Sequence, residues 1–166
     1  MEQEANLDCG FTKNNNWFRY RAAAIILEND CVLMASNEMS DYFYSVGGGV
    51  QLGETAAQAV VREVYEETGI RYDIDRLVFI HENFFSDSGL LAGLQCHEIA
   101  FYFLMKPQGL QGKIQNGFCP AGKESVHWIP LKDLKSKKAY PSFFAEKLGK
   151  LPLEVEHIIT REAGEE

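Results

Sequence analysis

The stretch from Gly48 to Ile70, GGVQLGETAAQAVVREVYEETGI, decides how this chain folds. Within it, Ala57, Val60, Val61 and Val64 recur at positions i, i+3, i+4 and i+7. Residues with this spacing lie on one side of an α-helix, so the pattern predicts a helix with a single apolar stripe.

The sequence also marks the two ends of this helix. Thr55 and Gln58 have the spacing of a capping box, with Thr55 as the N-cap. Gly69 is a natural C-terminal stop, because glycine adopts the left-handed conformation that ends many helices. Three consecutive glycines, residues 47–49, precede the helix and allow a close approach of the backbone.

Acidic residues occupy a second part of the same helix. Glu63, Glu66 and Glu67 stand at i, i+3 and i+4, so we expect them to project together, opposite the valine stripe. Like charges at this spacing repel one another, and carboxylate clusters suit a hard cation such as Mg²⁺. A solvated acidic face is the alternative reading of these three glutamates.

Strand-like segments flank the helix on both sides, and two helical patterns follow them. The predicted strands cover residues 17–27, 31–35, 41–46, 77–85, 98–105 and 125–129, and the helical patterns cover 132–137 and 142–148. Strands on both sides of a single strong helix predict a mixed α+β sandwich. We expect one domain over residues 1–166, with a polar leader or added edge element at 1–16 and a helical C-terminal extension at about 135–166.

Composition and charge exclude several classes of function. The chain of 166 residues carries a net charge of −8, which disfavours nucleic-acid polymers and anionic membranes as partners. It has no apolar run long enough for a transmembrane helix, and it begins without a secretory signal. Its four cysteines are widely separated, so we expect reduced thiols and a cytoplasmic protein.

The full spacing of the central stretch resembles a known motif. Gly48, Glu54, the run Arg62-Glu63-Val64, the pair Glu66-Glu67 and the pair Gly69-Ile70 match the Nudix box at every defining position. The resemblance extends to about residues 20–134. It implies a Nudix-type α/β/α sandwich with a mixed sheet and a loop–helix–loop catalytic element. It also implies a metal-dependent enzyme that hydrolyses a nucleoside diphosphate linked to another moiety.

The Nudix resemblance assigns roles to residues of the motif. It implies that Glu63 and Glu67 are metal ligands, with Glu66 as a third ligand and the Gly47 carbonyl as a fourth. The expected ion is Mg²⁺, with Mn²⁺ as a substitute, and it would help water to attack phosphorus. Glu63 is our first choice as the base.

The resemblance also implies that Arg62 and Glu54 form a charged pair that orients the catalytic helix.

Residues outside the motif supply further candidates. Arg19 and Arg21 share one face of a strand and could hold a terminal phosphate or ribose, with Gly48 beside the substrate. Glu98 is a candidate metal ligand or base, and we interpret His81 as an ordinary strand residue. Candidates for stacking on a base are Trp17, Phe84, Phe85 and Tyr102.

Two other functions remain open at this point. A Nudix-fold sensor would bind a nucleotide without turnover, and such modules usually lack some of the glutamates that are present here. An RNA 5′-end pyrophosphohydrolase is disfavoured by the net charge of −8 and by the lack of a basic stripe. We also consider a homodimer.

Overall fold

The computed structural model describes residues 6–119 and 124–162. These residues form two β-sheets, one long helix and one short helix. In chain order the elements are β1 (Gly10–Lys13), β2 (Asn16–Ile25), β3 (Leu27–Glu28), β4 (Cys31–Asn37), β5 (Phe43–Ser45), β6 (Gly47–Gly49), α1 (Ala56–Thr68), β7 (Ile74–Ser86), β8 (Gln95–Met105), β9 (Glu124–Pro130), a 3₁₀ turn (Leu131–Ser136), β10 (Ala139–Tyr140), α2 (Phe144–Lys147) and β11 (Glu156–Arg161).

The larger sheet is mixed. Its strand order is β1-β2-β8-β7-β11, and β6 also pairs with β2. Strand β8 lies parallel to β2 and antiparallel to β7, while β11 lies parallel to β7. In the smaller sheet the order is β10-β5-β4-β3, with β9 paired to β4. This arrangement confirms the predicted α+β sandwich with a mixed sheet.

The C-terminal half of strand β2, residues 21–25, is buried on both of its faces. Ala22 and Ala24 pack into one core cluster together with the apolar residues of α1. Ala23 and Ile25 pack into a second cluster, which includes Phe143 and other residues of the C-terminal part. A strand covered on both sides reads as a continuous apolar run, which explains the sequence AAAII at residues 22–26.

Helix α1 begins and ends where the sequence predicts. The Gln58 amide donates to Thr55 Oγ1 at 3.1 Å, and the Thr55 amide donates to Gln58 Oε1 at 2.9 Å, so the capping box is complete. Gly69 ends the helix with φ of 73°, in the left-handed region. Within residues 6–119 and 124–162, no helix is both long and apolar enough to cross a bilayer.

The buried side of α1 includes one of the acidic residues. Val60 and Val64 are fully buried, and Glu67 is only 7% exposed. The prediction that Glu67 projects away from the apolar stripe is therefore wrong. Three helical residues span about 300°, so Glu67 lies only about 60° around the helix from Val64.

The predicted helical C-terminal extension is also wrong in its main part. Among the described residues from 135 to 162, only the four residues of α2 form an α-helix, and residues 156–161 form strand β11. Exposed and half-buried residues alternate along β11, and Ile158, Ile159 and Thr160 are β-branched, which favours a strand. The strand covers the edge of β7. Residues 163–166 lie outside the described part.

At the other end of the chain, the added edge element is what the structure shows. Strand β1 pairs antiparallel with β2 from Gly10↔Arg19 to Lys13↔Asn16. Residues 1–5 of the predicted leader lie outside the described part.

Candidate active site

Strand β6 and helix α1 meet at a glycine. A Cβ atom on Gly48 would lie 2.5 Å from the Glu63 carboxylate, a distance that real Cβ atoms do not tolerate. One residue earlier, the Gly47 amide donates a hydrogen bond to Glu67 Oε1 at 3.1 Å. The missing side chain at Gly48 therefore lets the carboxylate of Glu63 lie directly against the strand.

Arg62 connects the acidic residues to one another. Its Nε and Nη2 donate to Glu54 Oε1 and Oε2 at 2.8 and 3.0 Å, which is a bidentate pair. Its Nη1 donates to Glu63 Oε1 at 2.7 Å, and Nη2 also reaches the Gly49 carbonyl at 3.1 Å. The hydrogen bonds from Arg62 lower the pKa of Glu54, so this carboxylate stays ionised.

The three glutamates of the predicted metal site lie in different environments. Glu67 is buried, and its Oε2 has no hydrogen-bond partner among the described residues. Burial, together with the charge of Glu124, raises the pKa of Glu67 to about 8. Burial also raises the pKa of Glu63, although Arg62 opposes this. The Glu66 side chain is 57% exposed, and its Oε1 lies 3.4 Å from Arg62.

The side chains as placed do not form a closed cation cage. In the part of the chain that the structure describes, no three His, Cys, Asp or Glu side chains are grouped as ligands of one ion. The chemistry of the residues still fits a hard cation, because Glu63, Glu66 and Glu67 offer carboxylate oxygens. Such an ion would bind Oε2 of Glu67, which is buried and has no hydrogen-bond partner among the described residues.

A cavity of about 870 Å³ adjoins these residues. Gly47, Gly48 and Glu63 contribute to one wall, and Arg19 and Arg21 of β2 also line it. The structure therefore brings both arginines predicted from the strand pattern to the same cavity as Glu63.

The two arginines and Glu98 are already engaged within the protein. Arg19 pairs with Glu98, with Nη2 2.7 Å from Oε2, and Glu98 is only 7% exposed. Arg21 is 8% exposed and donates to the Ser45 carbonyl at 2.5 Å, while its Nε has no partner among the described residues. Glu98 thus lines the cavity as half of an ion pair.

The predicted stacking residues divide between two sides of the sheet. Trp17, Phe85 and Tyr102 line the cavity, as the strand pattern requires for residues on one face. Phe84 does not line it; its ring stacks on His97 with centroids 4.3 Å apart. Phe84 and Phe85 are consecutive strand residues, so they must point to opposite faces.

Several cavity residues were missed by the sequence analysis. Glu124 from β9, Tyr140 from β10 and Thr160 from β11 all line the cavity. They come from strands far along the chain, and their place depends on tertiary pairing. The alternation in β11 is the signal that could have located Thr160.

His81 is buried, and its Nε2 forms a hydrogen bond of 2.8 Å with Thr160. Burial lowers the pKa of this imidazole to about 4.

Comparison with known proteins now decides the family. The family model of the NUDIX domain matches residues 17–147. The chain belongs to the NUDIX family. Among curated proteins, it is 36% identical over 76 residues to diphosphoinositol polyphosphate phosphohydrolase 2 of Mus musculus, covering 43% of this chain and 42% of that protein. It is 33% identical over 88 residues to a MutT-like protein of Streptomyces ambofaciens, covering 52% of this chain and 51% of that protein.

Solved structures show the same Nudix fold. The MutT protein of Methanosarcina mazei is 20% identical, and the match covers 81% of this chain and 92% of that one with a TM-score of 0.56. The chain spans about half or less of the length of the two curated relatives above.

Proposed function

We propose that this Nudix protein is a metal-dependent hydrolase that cleaves the diphosphate bond of a nucleoside diphosphate linked to another moiety. The observation that carries the proposal is the Glu67 carboxylate, which is buried beside Gly47 with Oε2 unpartnered. Burying a carboxylate oxygen without a partner costs free energy unless a ligand binds that oxygen. A cation that also binds the phosphates of a substrate would bind it.

The ligands of that cation would be Glu63, Glu66, Glu67 and the Gly47 carbonyl. When bound, Mg²⁺ or Mn²⁺ supplies charge neutralisation at the diphosphate and makes water more acidic. Carboxylate and carbonyl oxygens favour these hard ions over Zn²⁺.

The residues of the chain orient the reaction. Arg62 holds Glu54 and Glu63 together, so the start of α1 and the Glu63 carboxylate keep a fixed relation. Because Arg62 occupies Oε1 of Glu63, the other oxygen, Oε2, would accept the proton of the attacking water. Arg19 and Arg21 would hold phosphate or ribose oxygens from the facing strand. Glu98 is an alternative base, but its pairing with Arg19 favours a positioning role.

A substrate panel tests this proposal. ADP-ribose, sugar nucleotides, dinucleoside polyphosphates, oxidised dNTPs and a 5′-triphosphate RNA would be incubated with the protein in Mg²⁺, and products identified by mass. We expect cleavage of at least one small nucleotide, abolished by EDTA and by Glu63→Gln. The matched control is Glu154→Gln, an exposed glutamate outside the cavity lining. Tight nucleotide binding without any product would favour the sensor, and cleavage of the RNA alone would favour the end-processing enzyme.

A further inference from the structure

A short segment ahead of the family match contacts the loop that leads into α1. The match begins at residue 17, and this N-terminal segment consists of residues 7–9. Its central residue, Asp8, forms an antiparallel bridge with Gln51, which lies in the loop before Glu54. The N-terminal segment thus reaches the Nudix motif from outside the residues that match the family.

Two backbone hydrogen bonds make this bridge. The Leu52 amide donates to the Leu7 carbonyl at 2.7 Å, and the Cys9 amide donates to the Val50 carbonyl at 2.8 Å. Both bonds are formed by the neighbours of the bridged residues, as they are around a non-hydrogen-bonded pair of an antiparallel ladder. In this arrangement the amide and the carbonyl of Gln51 point away from the N-terminal segment.

These two groups of Gln51 both bind Glu54. The Gln51 amide donates to Glu54 Oε2 at 3.0 Å, and the Glu54 amide donates to the Gln51 carbonyl at 2.9 Å. Glu54 also accepts the two hydrogen bonds from Arg62, and Arg62 donates a further one to Glu63. One tight turn and these hydrogen bonds therefore connect the N-terminal segment to the carboxylate of Glu63.

The turn at residues 51–54 has few other contacts that would hold it in place. The Leu52 side chain is 72% exposed, and nothing lies within 4 Å of a Cβ added to Gly53. Among the described residues, residues 51–53 form no other backbone hydrogen bond with a group outside this turn. The N-terminal segment therefore supplies the backbone contact that ties the turn to the larger sheet.

The N-terminal segment is itself anchored in that sheet. The Cys9 amide binds the Val50 carbonyl, the Val50 amide donates to the Tyr20 carbonyl at 2.9 Å, and the Tyr20 amide donates to the Cys9 carbonyl at 2.9 Å. These three bonds form a closed ring, and Val50 is fully buried. Directly after Cys9, strand β1 pairs with β2, beginning at Gly10↔Arg19. The segment is thus fixed at the point where it contacts the loop.

We propose that the N-terminal segment is a positioning element for the acidic site. By holding the turn at residues 51–54 it fixes the carboxylate of Glu54, and Arg62 passes this constraint on to Glu63. None of residues 7–9 lines the cavity, so the segment acts through the turn and not on the substrate. This inference rests on the proposed function, because it assumes that Glu63 binds the cation used in catalysis.

Leu52→Pro tests the positioning role, because it removes one hydrogen bond and preserves the turn. Proline has no amide hydrogen, so the bond to Leu7 is lost. Gly53, the third residue of the turn, has φ of 85°, whereas φ of Leu52 is not positive. This combination is typical of type II turns, which favour proline at their second position. Leu52→Ala is the matched control, because it shortens the same exposed side chain and keeps the amide hydrogen.

Two measurements on these variants need no substrate. The amides of Gln51 and Glu54 should exchange their hydrogens about fivefold faster in Leu52→Pro than in Leu52→Ala, as expected for the loss of one hydrogen bond. Titration with Mn²⁺, followed by electron paramagnetic resonance, reports how well the glutamates are placed. The affinity for Mn²⁺ should be about fivefold weaker in Leu52→Pro and unchanged in Leu52→Ala.

Steady-state kinetics on a cleaved substrate gives the third comparison. We expect kcat of Leu52→Pro to fall about fivefold, because Glu63 is in place for a smaller part of the time. KM should change little, because the residues that line the cavity are the same. Leu52→Ala should retain both constants of the wild-type protein. All measurements are made well below the melting temperature of each variant.

Equal Mn²⁺ affinities and equal kcat values of Leu52→Pro and Leu52→Ala would overturn the positioning role, as would unchanged amide exchange. This holds even if Leu52→Pro melts at a lower temperature, because the segment would then contribute to stability alone. If amide exchange and Mn²⁺ affinity change as expected but the wild-type protein cleaves no diphosphate, the hydrolase proposal fails while the positioning role stands.

Discussion

Arg62 donates two parallel hydrogen bonds to Glu54, from Nε to Oε1 at 2.8 Å and from Nη2 to Oε2 at 3.0 Å. Glu54 lies just before the N-cap of α1, and Arg62 lies about two turns into the helix. The pair therefore ties the loop to the helix that carries Glu63 and Glu67.

The first prediction concerns the planar guanidinium group of Arg62. Arg62→Lys keeps the charge but loses the bidentate geometry, so Glu63 loses its fixed position. We expect kcat to fall about 10–100-fold with little change in KM, as for other residues that support a metal site. Steady-state kinetics on the cleaved substrate checks this. An unchanged kcat with a raised KM would instead place Arg62 in contact with the substrate.

A second prediction concerns the close approach at Gly48. Gly48→Ala places a methyl group 2.5 Å from the Glu63 carboxylate, so this side chain must move. We expect turnover to fall by at least about tenfold, in line with a displaced supporting group. Gly112→Ala is the control, because nothing lies within 4 Å of its added Cβ. Equal activities of the two variants would show that Glu63 does not depend on this contact.

A third prediction concerns stability and the buried Glu67. Its pKa is about 8 in the folded protein and about 4.5 when unfolded, so the folded state holds the proton more tightly. In EDTA, the contribution of Glu67 to the free energy of unfolding should therefore be largest below pH 4.5. This contribution should be lost as the pH rises through 8, and the loss should be a few kcal/mol at most. Glu67→Gln should remove this loss.

Urea denaturation at pH 5, 7 and 9 measures that effect. The variant should gain stability over the wild-type protein as the pH rises, and Mg²⁺ should stabilise only the wild-type protein at pH 9. A constant difference between the two proteins across this range would contradict the assignment of Glu67 as a buried, unpaired carboxylate.

The buried His81 should make the protein less stable as the pH falls, which is opposite to the effect of Glu67. Its pKa is about 4 when folded and about 6.5 when unfolded, so the unfolded chain takes up the proton first. The contribution of His81 to the free energy of unfolding is lost as the pH falls from 6.5 towards 4, and the loss is about 2 kcal/mol at pH 5. Unfolding measurements on His81→Asn at pH 7 and pH 5 should show a smaller acid loss than in the wild-type protein. An identical acid loss would mean that His81 titrates normally.

Local patterns were enough to predict helix α1, its caps and the strands around it. Thr55, Gln58 and Gly69 act through neighbours in the sequence, so their roles are readable without tertiary structure. Glu67 is buried because it lies about 60° around the helix from Val64, which its spacing to Glu63 alone does not reveal. Thr160 could not be placed at the site from sequence, because its location depends on the pairing of β11 with β7.

Hydrolysis in ¹⁸O-labelled water shows which atom is attacked. If Glu63 directs water to phosphorus, the label will appear in a phosphate product, and in only one of the two fragments if the cavity fixes one substrate orientation. Label in the sugar carbon–oxygen bond would contradict attack at phosphorus and the proposed role of the glutamates on α1.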